Sequence, residues 1–388
     1  MSEMSTSAIY LDNNGTTALD PRVLEVMLPF LTVQHGNATS RHSFGRTART
    51  AIDQAREQVA DAVGAHPTQI VFTGSGTEAD NMAITGIAAG LGPEAGQIVC
   101  SVIEHPAVSR AVQALRLRGW KTSTLSVDND GRVKVNNLDQ AFSSRTALLS
   151  VMLANNETGV IQDIAPIAEE AKRNGAFVHT DAVQALGKIP VDFHELNVHA
   201  MSLSSHKING PQGAGALVLD KRVDIQPLIY GGGQERGLRS GSENVAAIVG
   251  FGMASELATR ELGQRSKLIG DLRSRLEHGL KRLGAVVFGS TAERLPNTSF
   301  FAFPDIEGET LVVALDRKGF AVASGSACSS DSTEPSHVLL AMGIEEDLAR
   351  GAVRVSLGKD NTLEQVNAFL TALEGELLRL KRLTAIAV

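Results

Sequence analysis

In Gln69-Ile-Val-Phe-Thr-Gly-Ser-Gly-Thr-Glu-Ala79 an apolar run of strand-forming residues meets two glycines and passes into a helix-compatible segment, Thr77–Ala89. The run lacks the period-two alternation of a half-solvated strand, so it reads as a strand buried on both faces. Five more such runs follow: Gln97–Val102, Ala147–Leu153, Ala176–His179, Ala200–Leu203 and Gly215–Leu219. Helical stretches at Ala107–Arg118 and Ile164–Asn174 lie between them, and Thr47–Gly64 upstream spaces Ala48, Ile52, Ala55, Val59 and Val63 along one helical face. Strands alternating with helices predict an α/β fold around a mostly parallel sheet. Past about Val245 the pattern changes to one long helix-compatible segment, Ala254–Leu283. Short strands at Ala285–Phe288, Thr298–Phe303 and Val353–Leu357 come next, then a leucine-spaced helix, Leu363–Leu383. This end reads as a smaller α+β unit.

The chain has 388 residues, 43% apolar and 20% charged, with a formal charge of −7. That composition excludes a disordered, collagen-like or disulfide-stapled protein. A single core stops growing near ~250–300 residues, so a large unit with a smaller companion is expected. There is no apolar run long enough to span a bilayer and no charged-then-apolar leader at Met1–Tyr10, so a soluble, cytoplasmic protein with no membrane partner is expected. Basic residues are scattered among acids, which argues against direct nucleic-acid binding. Of the two cysteines, Cys100 lies in the apolar Ile98-Val-Cys100 and reads as core, whereas Cys328 lies among small polar residues, Ala323–Pro335, and reads as an exposed loop thiol. Neither has the spacing of a metal site, and no metal is expected.

Ligands of open parallel sheets sit beyond the carboxyl ends of the strands. Those positions are polar here: Gly74–Glu78, Glu104-His105, Asn155–Glu157, Thr180–Gln184 and Ser204–Lys207. Gly74-Ser-Gly-Thr77 at a helix start suits an anion such as a phosphate. It equally fits a dinucleotide fingerprint, although no acid stands where a ribose would need one and Glu104 comes late; a plain tight turn is the third reading. Asp181 could face the crevice or cap a helix over Ala182–Leu186. Lys207, held on a turn beside His206, is a candidate imine-forming amine or an ordinary surface charge. Cys328 is a candidate nucleophile or a harmless thiol. Arg354, on a strand, needs an anion, either a substrate carboxylate or a protein Asp or Glu.

Taken in order, these segments resemble the pyridoxal-phosphate cysteine desulfurases, the NifS/IscS-like branch of the class V aminotransferases. The likeness runs from Tyr10-Leu-Asp-Asn-Asn-Gly-Thr-Thr17 to Arg354-Val-Ser-Leu-Gly358. It is most specific at Gly36–His42, Ser204-Ser-His-Lys207, Gly231–Asn244 and Ser324-Gly-Ser-Ala-Cys328. The resemblance implies a fold-type-I homodimer. Residues 15–258 would form the large cofactor-binding domain, and 1–14 with 259–388 a small domain carrying the cysteine loop.

It also implies roles. Lys207 would bond to the cofactor aldehyde and later shuttle the α-proton, Asp181 would pair with the pyridine nitrogen, His105 would stack on the ring and assist proton transfer, and Gln184 would reach the ring hydroxyl. Gly76, Thr77, Ser204, His206 and the partner subunit's Ser242 would hold the phosphate. Asn156, Arg354 and Asn37 would take the carboxylate of L-cysteine. Cys328 would accept sulfur as a persulfide, leaving L-alanine, and its loop would have to move to pass that sulfur to an acceptor such as an iron–sulfur scaffold. Gly15, Ala38 and Ser242 depart from the residues usual in the family, and the first two would touch no catalytic group. A selenocysteine lyase or another class V aminotransferase is the alternative enzyme. A silent sulfur-assembly scaffold is the non-enzyme alternative, disfavoured by intact Lys207, Asp181, His105 and Cys328.

Overall fold

The computed structural model describes residues 8–135, 138–142, 144–325 and 334–386, so Cys328 lies outside the described residues. After β1 (Ile9–Tyr10), α1 (Pro21–Thr32) and α2 (Ser43–Ala62), the chain alternates as the apolar runs predict. It lays down β2 (Ile70–Thr73), α3 (Gly76–Leu91), β3 (Gln97–Ser101), α4 (Pro106–Leu117), β4 (Lys121–Leu125), α5 (Leu138–Ala141), β5 (Thr146–Ser150), α6 (Ile164–Arg173), β6 (Phe177–Asp181), β7 (Ala200–Ser204) and β8 (Gly215–Leu219). The seven strands form one sheet in the order β2-β8-β7-β6-β5-β3-β4. Only β8 runs antiparallel, to both its neighbours.

Period two is present in these strands after all, but both phases are apolar. Ile70, Phe72, Val99, Leu149, Val178 and Met201 face one core, packed against Ile52 and Val59 of α2, Ile164 of α6 and Phe251 of α7 (Val245–Arg260). Val71, Ile98, Cys100, Leu148 and Leu217 face another, packed against Met82 and Ile87 of α3 and Val108 of α4. Helices on both faces therefore explain the unbroken apolar runs. Cys100 is core, and burial pushes its thiol up to about 12. The edge strand β4, Lys-Thr-Ser-Thr-Leu, carries almost no apolar signal, which is why sequence pattern passes over it.

The segment expected as one helix over Ala254–Leu283 is two, α7 and α8 (Leu262–Arg282), broken at Glu261, whose carboxylate pairs with Arg22 and Arg265. Next come β9 (Val286–Val287), β10 (Thr298–Ala302), α9 (Gly308–Asp316), β11 (Phe320–Ala321), β12 (Ala323–Ser324), α10 (His337–Ala341), α11 (Glu346–Arg350), β13 (Val353–Ser356) and α12 (Leu363–Ile386). Here an antiparallel sheet, β12-β13-β10-β9, encloses a third core with α8 and α12, while β1 pairs with β11. Val353 and Val355 face that core. By strand alternation Arg354 between them faces the opposite way, toward the large sheet. No helix among the described residues is long and apolar enough to cross a membrane.

Candidate active site

The carboxyl ends of β2, β3, β5, β6 and β7 open on one cavity of about 350 Å³. Gly76, Thr77, His105, Asn156, Asp181, Gln184, Ser204, His206, Lys207 and Arg354 all line it, so ten of the expected site residues converge. At one end the first turn of α3 presents Gly76 and Thr77, with Ser75 as N-cap accepting from the Glu78 N–H at 3.1 Å. A Cβ on Gly76 would stand 2.8 Å from Val183 Cγ2 and 3.2 Å from Ser204 Cβ, so this glycine is needed for close approach. The Ser204 hydroxyl beside it is buried without a hydrogen-bond partner among the described residues. A helix N-terminus and an unsatisfied hydroxyl make an anion cup.

Lys207 sits on a single 3₁₀ turn, Ser205–Lys207, directly after β7. Its Nζ donates to the carbonyls of Asn14 at 2.5 Å and Gly15 at 2.6 Å. The N-terminal segment thus folds back onto the lysine through backbone carbonyls, which the departure at Gly15 leaves in place. Thr17 Oγ1 donates to the His206 carbonyl at 2.8 Å, and Thr16 Oγ1 lies 3.0 Å from His206 Nδ1. Asp12, Asn14 and Gly15 line the cavity from outside the sheet, and local pattern carries no sign of it.

Asp181 ends β6, and the expected helix over Ala182–Leu186 does not form; residues 183–188 are turn, and Asp181 Oδ1 accepts the Val183 N–H at 2.8 Å. Burial pushes its carboxyl up to about 6, opposed by that bond and by the Lys207 charge. Two more buried acids adjoin it, Asp80, which also lines the cavity, and Glu104, which does not. Burial first, and then the nearby Asp181 charge, raise Asp80 well above the ordinary range. Glu104 accepts from Ser101 Oγ at 2.6 Å and the Met152 N–H at 2.7 Å, and burial raises it to about 8. With both neighbours favouring their protons more strongly, Asp181 is the one of these three acids that gives up its proton most readily. Glu104 is thus turned into the protein and does not line the cavity.

His105 caps α4, its Nδ1 accepting the Ala107 N–H at 3.1 Å. Burial, with the charge of Lys207 and His337, lowers it to about 4. The neutral ring therefore carries its proton on Nε2. Arg354 Nη2 pairs with Asp12 Oδ1 at 2.7 Å and Nη1 donates to the Asn156 carbonyl at 3.0 Å, so its anion in this structure is a protein carboxylate. Two expected residues are elsewhere. Asn37 is exposed and spends its Oδ1 on the Thr39 N–H, and Ser242 is exposed on the 231–244 loop, away from this chain's own cavity. Glu235 moors that loop by pairing with Arg56 at 2.6 Å.

The class-V aminotransferase family model matches residues 9–369. A cysteine desulfurase, IscS, of Methanosarcina thermophila is 44% identical over 364 residues, covering 94% of this chain and 90% of that protein. A solved NifS-like protein superposes with a TM-score of 0.90 at 40% identity, covering 95% of this chain and 99% of that one. A structure of SspA in complex with cysteine gives a TM-score of 0.81 at 31% identity, covering 91% and 99%. The fold, the strand-end cavity and these likenesses agree: the chain belongs to the class-V aminotransferase family, among its NifS/IscS-like cysteine desulfurases.

Proposed function

We propose that the chain removes sulfur from L-cysteine, releasing L-alanine, and that Cys328 carries the sulfur off as a persulfide. The observation that supports this most is the convergence of Lys207, Asp181, His105 and the α3 anion cup on one cavity. Family and fold imply pyridoxal phosphate, and the donor set fits it. The orphaned Ser204 hydroxyl, with Gly76, Thr77 and His206, would take a dianionic phosphate, and Asp181 would gain a cationic partner in the ring nitrogen. Gln184 would face the ring oxygen. When bound, the cofactor supplies an electron-withdrawing ring that stabilises negative charge at the substrate α-carbon.

The residues then divide the work. Lys207 tethers the cofactor and, once exchanged for substrate, holds and moves the α-proton at Nζ. Arg354 and Asn156 orient the substrate carboxylate, with Asp12 yielding its place on the guanidinium. His105, its Nδ1 committed to the helix cap, donates from Nε2 and keeps its uncharged ring against the cavity. The Cys328 thiolate attacks the substrate sulfur; an S–S bond forms, the C–S bond breaks, and the electron pair stays with carbon, where a proton completes alanine.

Asn37 and Ser242 lie off this chain's cavity, and the same segments expose Leu31, Phe44 and Tyr230. These features support a homodimer in which the partner subunit's Ser242 completes the phosphate contacts. Residues 15–258 would be the cofactor domain and 1–14 with 259–388 the domain bearing Cys328. The acceptor would be a protein, such as an iron–sulfur scaffold, in a reducing cytoplasm that returns Cys328 to its thiolate. Incubation with pyridoxal phosphate, L-cysteine and a thiol reductant tests the reaction. Sulfide and alanine should appear in equal amounts, and sulfide accompanied by pyruvate and ammonia would overturn the reading.

A further inference from the structure

Lys188 is a buried lysine that the mechanism above does not use. It follows Gln184 by one helical-type turn, and its Nζ donates to the Gln184 carbonyl at 3.0 Å and to Gln184 Oε1 at 2.7 Å. Among the described residues no carboxylate pairs with it. The charged and titratable groups around it are Lys207, Arg354 and His206, with Arg265 and Lys359 lining the small cavity, about 40 Å³, that it shares with Lys207. A lysine buried among like charges is costly. Its placement calls for a use.

The geometry of Gln184 supplies one. Its Nε2 donates to the Asn14 carbonyl at 3.0 Å, the same oxygen that receives Lys207 Nζ. Exchanging the amide oxygen and nitrogen would set an NH₂ against a donor and an oxygen against a carbonyl, so both bonds fix one orientation. Burial and the neighbouring cations hold Lys188 well below the ordinary lysine range, yet an amine and an ammonium alike have the two N–H donors required. Gln184 itself lines the main cavity. Its NH₂ end, not its oxygen, is therefore the end left to meet an acceptor there.

We propose that Lys188 is a positioning residue: it locks the Gln184 carboxamide so that a hydrogen-bond donor faces the ring oxygen of the cofactor, favouring the anionic form of that oxygen. The inference rests on the reading of the cavity as a pyridoxal-phosphate site. Without Lys188 only the bond to the Asn14 carbonyl restrains the amide, its oxygen turns inward in part of the molecules, and the chromophore should hold its proton to higher pH.

The test is a visible-absorbance pH titration of the holoenzyme. Lys188→Met should raise the chromophore's apparent pKa by about one unit, a tenfold change in proton affinity. Gln184→Leu should raise it similarly, and Lys188→Met should add nothing further in that background, since the two act as one unit. Lys188→Gln, which keeps a donor for Gln184 Oε1, should titrate like the parent; it also serves if the methionine variant does not fold. Two results would overturn the proposal: an unshifted Lys188→Met, or an equal shift with and without Gln184, which would mean that Lys188 acts through charge alone. A parent protein with no visible band in pyridoxal phosphate would overturn the cofactor reading as well, so the two failures are distinguishable.

Discussion

Gly76→Ala puts one methyl group where the structure has no room. The new Cβ would stand 2.8 Å from Val183 Cγ2 and 3.2 Å from Ser204 Cβ, whereas carbon pairs settle near ~3.5–4.0 Å. Val183 is tied by its N–H to Asp181, and Ser204 closes a central strand, so the first turn of α3 must withdraw. Overpacking of this kind costs about 1–3 kcal/mol. The loss falls on the phosphate cup, and the same energy corresponds to about 5- to 150-fold in Kd for pyridoxal phosphate. Global stability should move less, because alanine is favoured over glycine in a helix by about 1 kcal/mol. The assay is titration of the apoprotein with pyridoxal phosphate, read by visible absorbance, beside a thermal melt. Gly74→Ala is the control: its Cβ would meet the flexible ends of Glu78, at 2.8 Å, and Arg239, at 3.7 Å, and should cost less affinity. An unchanged Kd for Gly76→Ala would refute the assignment of this turn as the phosphate cup.

Two further outcomes follow from the site. Glu104 is held protonated to about pH 8 in the fold, against an ordinary value of 4.5. From about pH 4.5 upward the unfolded chain gives up that proton while the folded chain keeps it, so stability falls across this window and the contribution is gone above about pH 8. Glu104→Gln keeps an acceptor for Ser101 and Met152 and cannot titrate. Its melting temperature relative to the parent apoprotein should climb from about pH 5 to about pH 8, and a constant difference would contradict the burial argument. Lys207→Ala should abolish the yellow colour that pyridoxal phosphate gives the parent protein. An unchanged visible spectrum would remove Lys207 from its role.

What could be read ahead of the structure was what is local. The β2–α3 turn, the polar residues after each strand and the buried Cys100 all follow from runs of ten residues or fewer, and strand-end geometry gathers them into one cavity. What could not be read was brought there by tertiary folding. Asn14 and Gly15 hydrogen-bond a lysine more than 190 positions away, through backbone carbonyls that no side-chain pattern announces. Arg354 was legible as needing an anion, but not that Asp12 supplies it. The break falls at Glu261, whose partner Arg22 is itself in a helix that sequence pattern does not mark. Asn37 and Ser242 were singled out only through resemblance, and this chain alone does not carry them to its cavity.

The central claim is that sulfur leaves through Cys328. Holoenzyme given L-cysteine without reductant, digested under non-reducing conditions and weighed by mass spectrometry, tests it most directly. The Cys328 peptide should gain the mass of one sulfur atom while alanine forms in equal amount, and Cys328→Ala should keep the yellow colour but release no sulfide. Alanine and sulfide formed at the parent rate by Cys328→Ala, or an unmodified Cys328 peptide beside accumulating alanine, would contradict it.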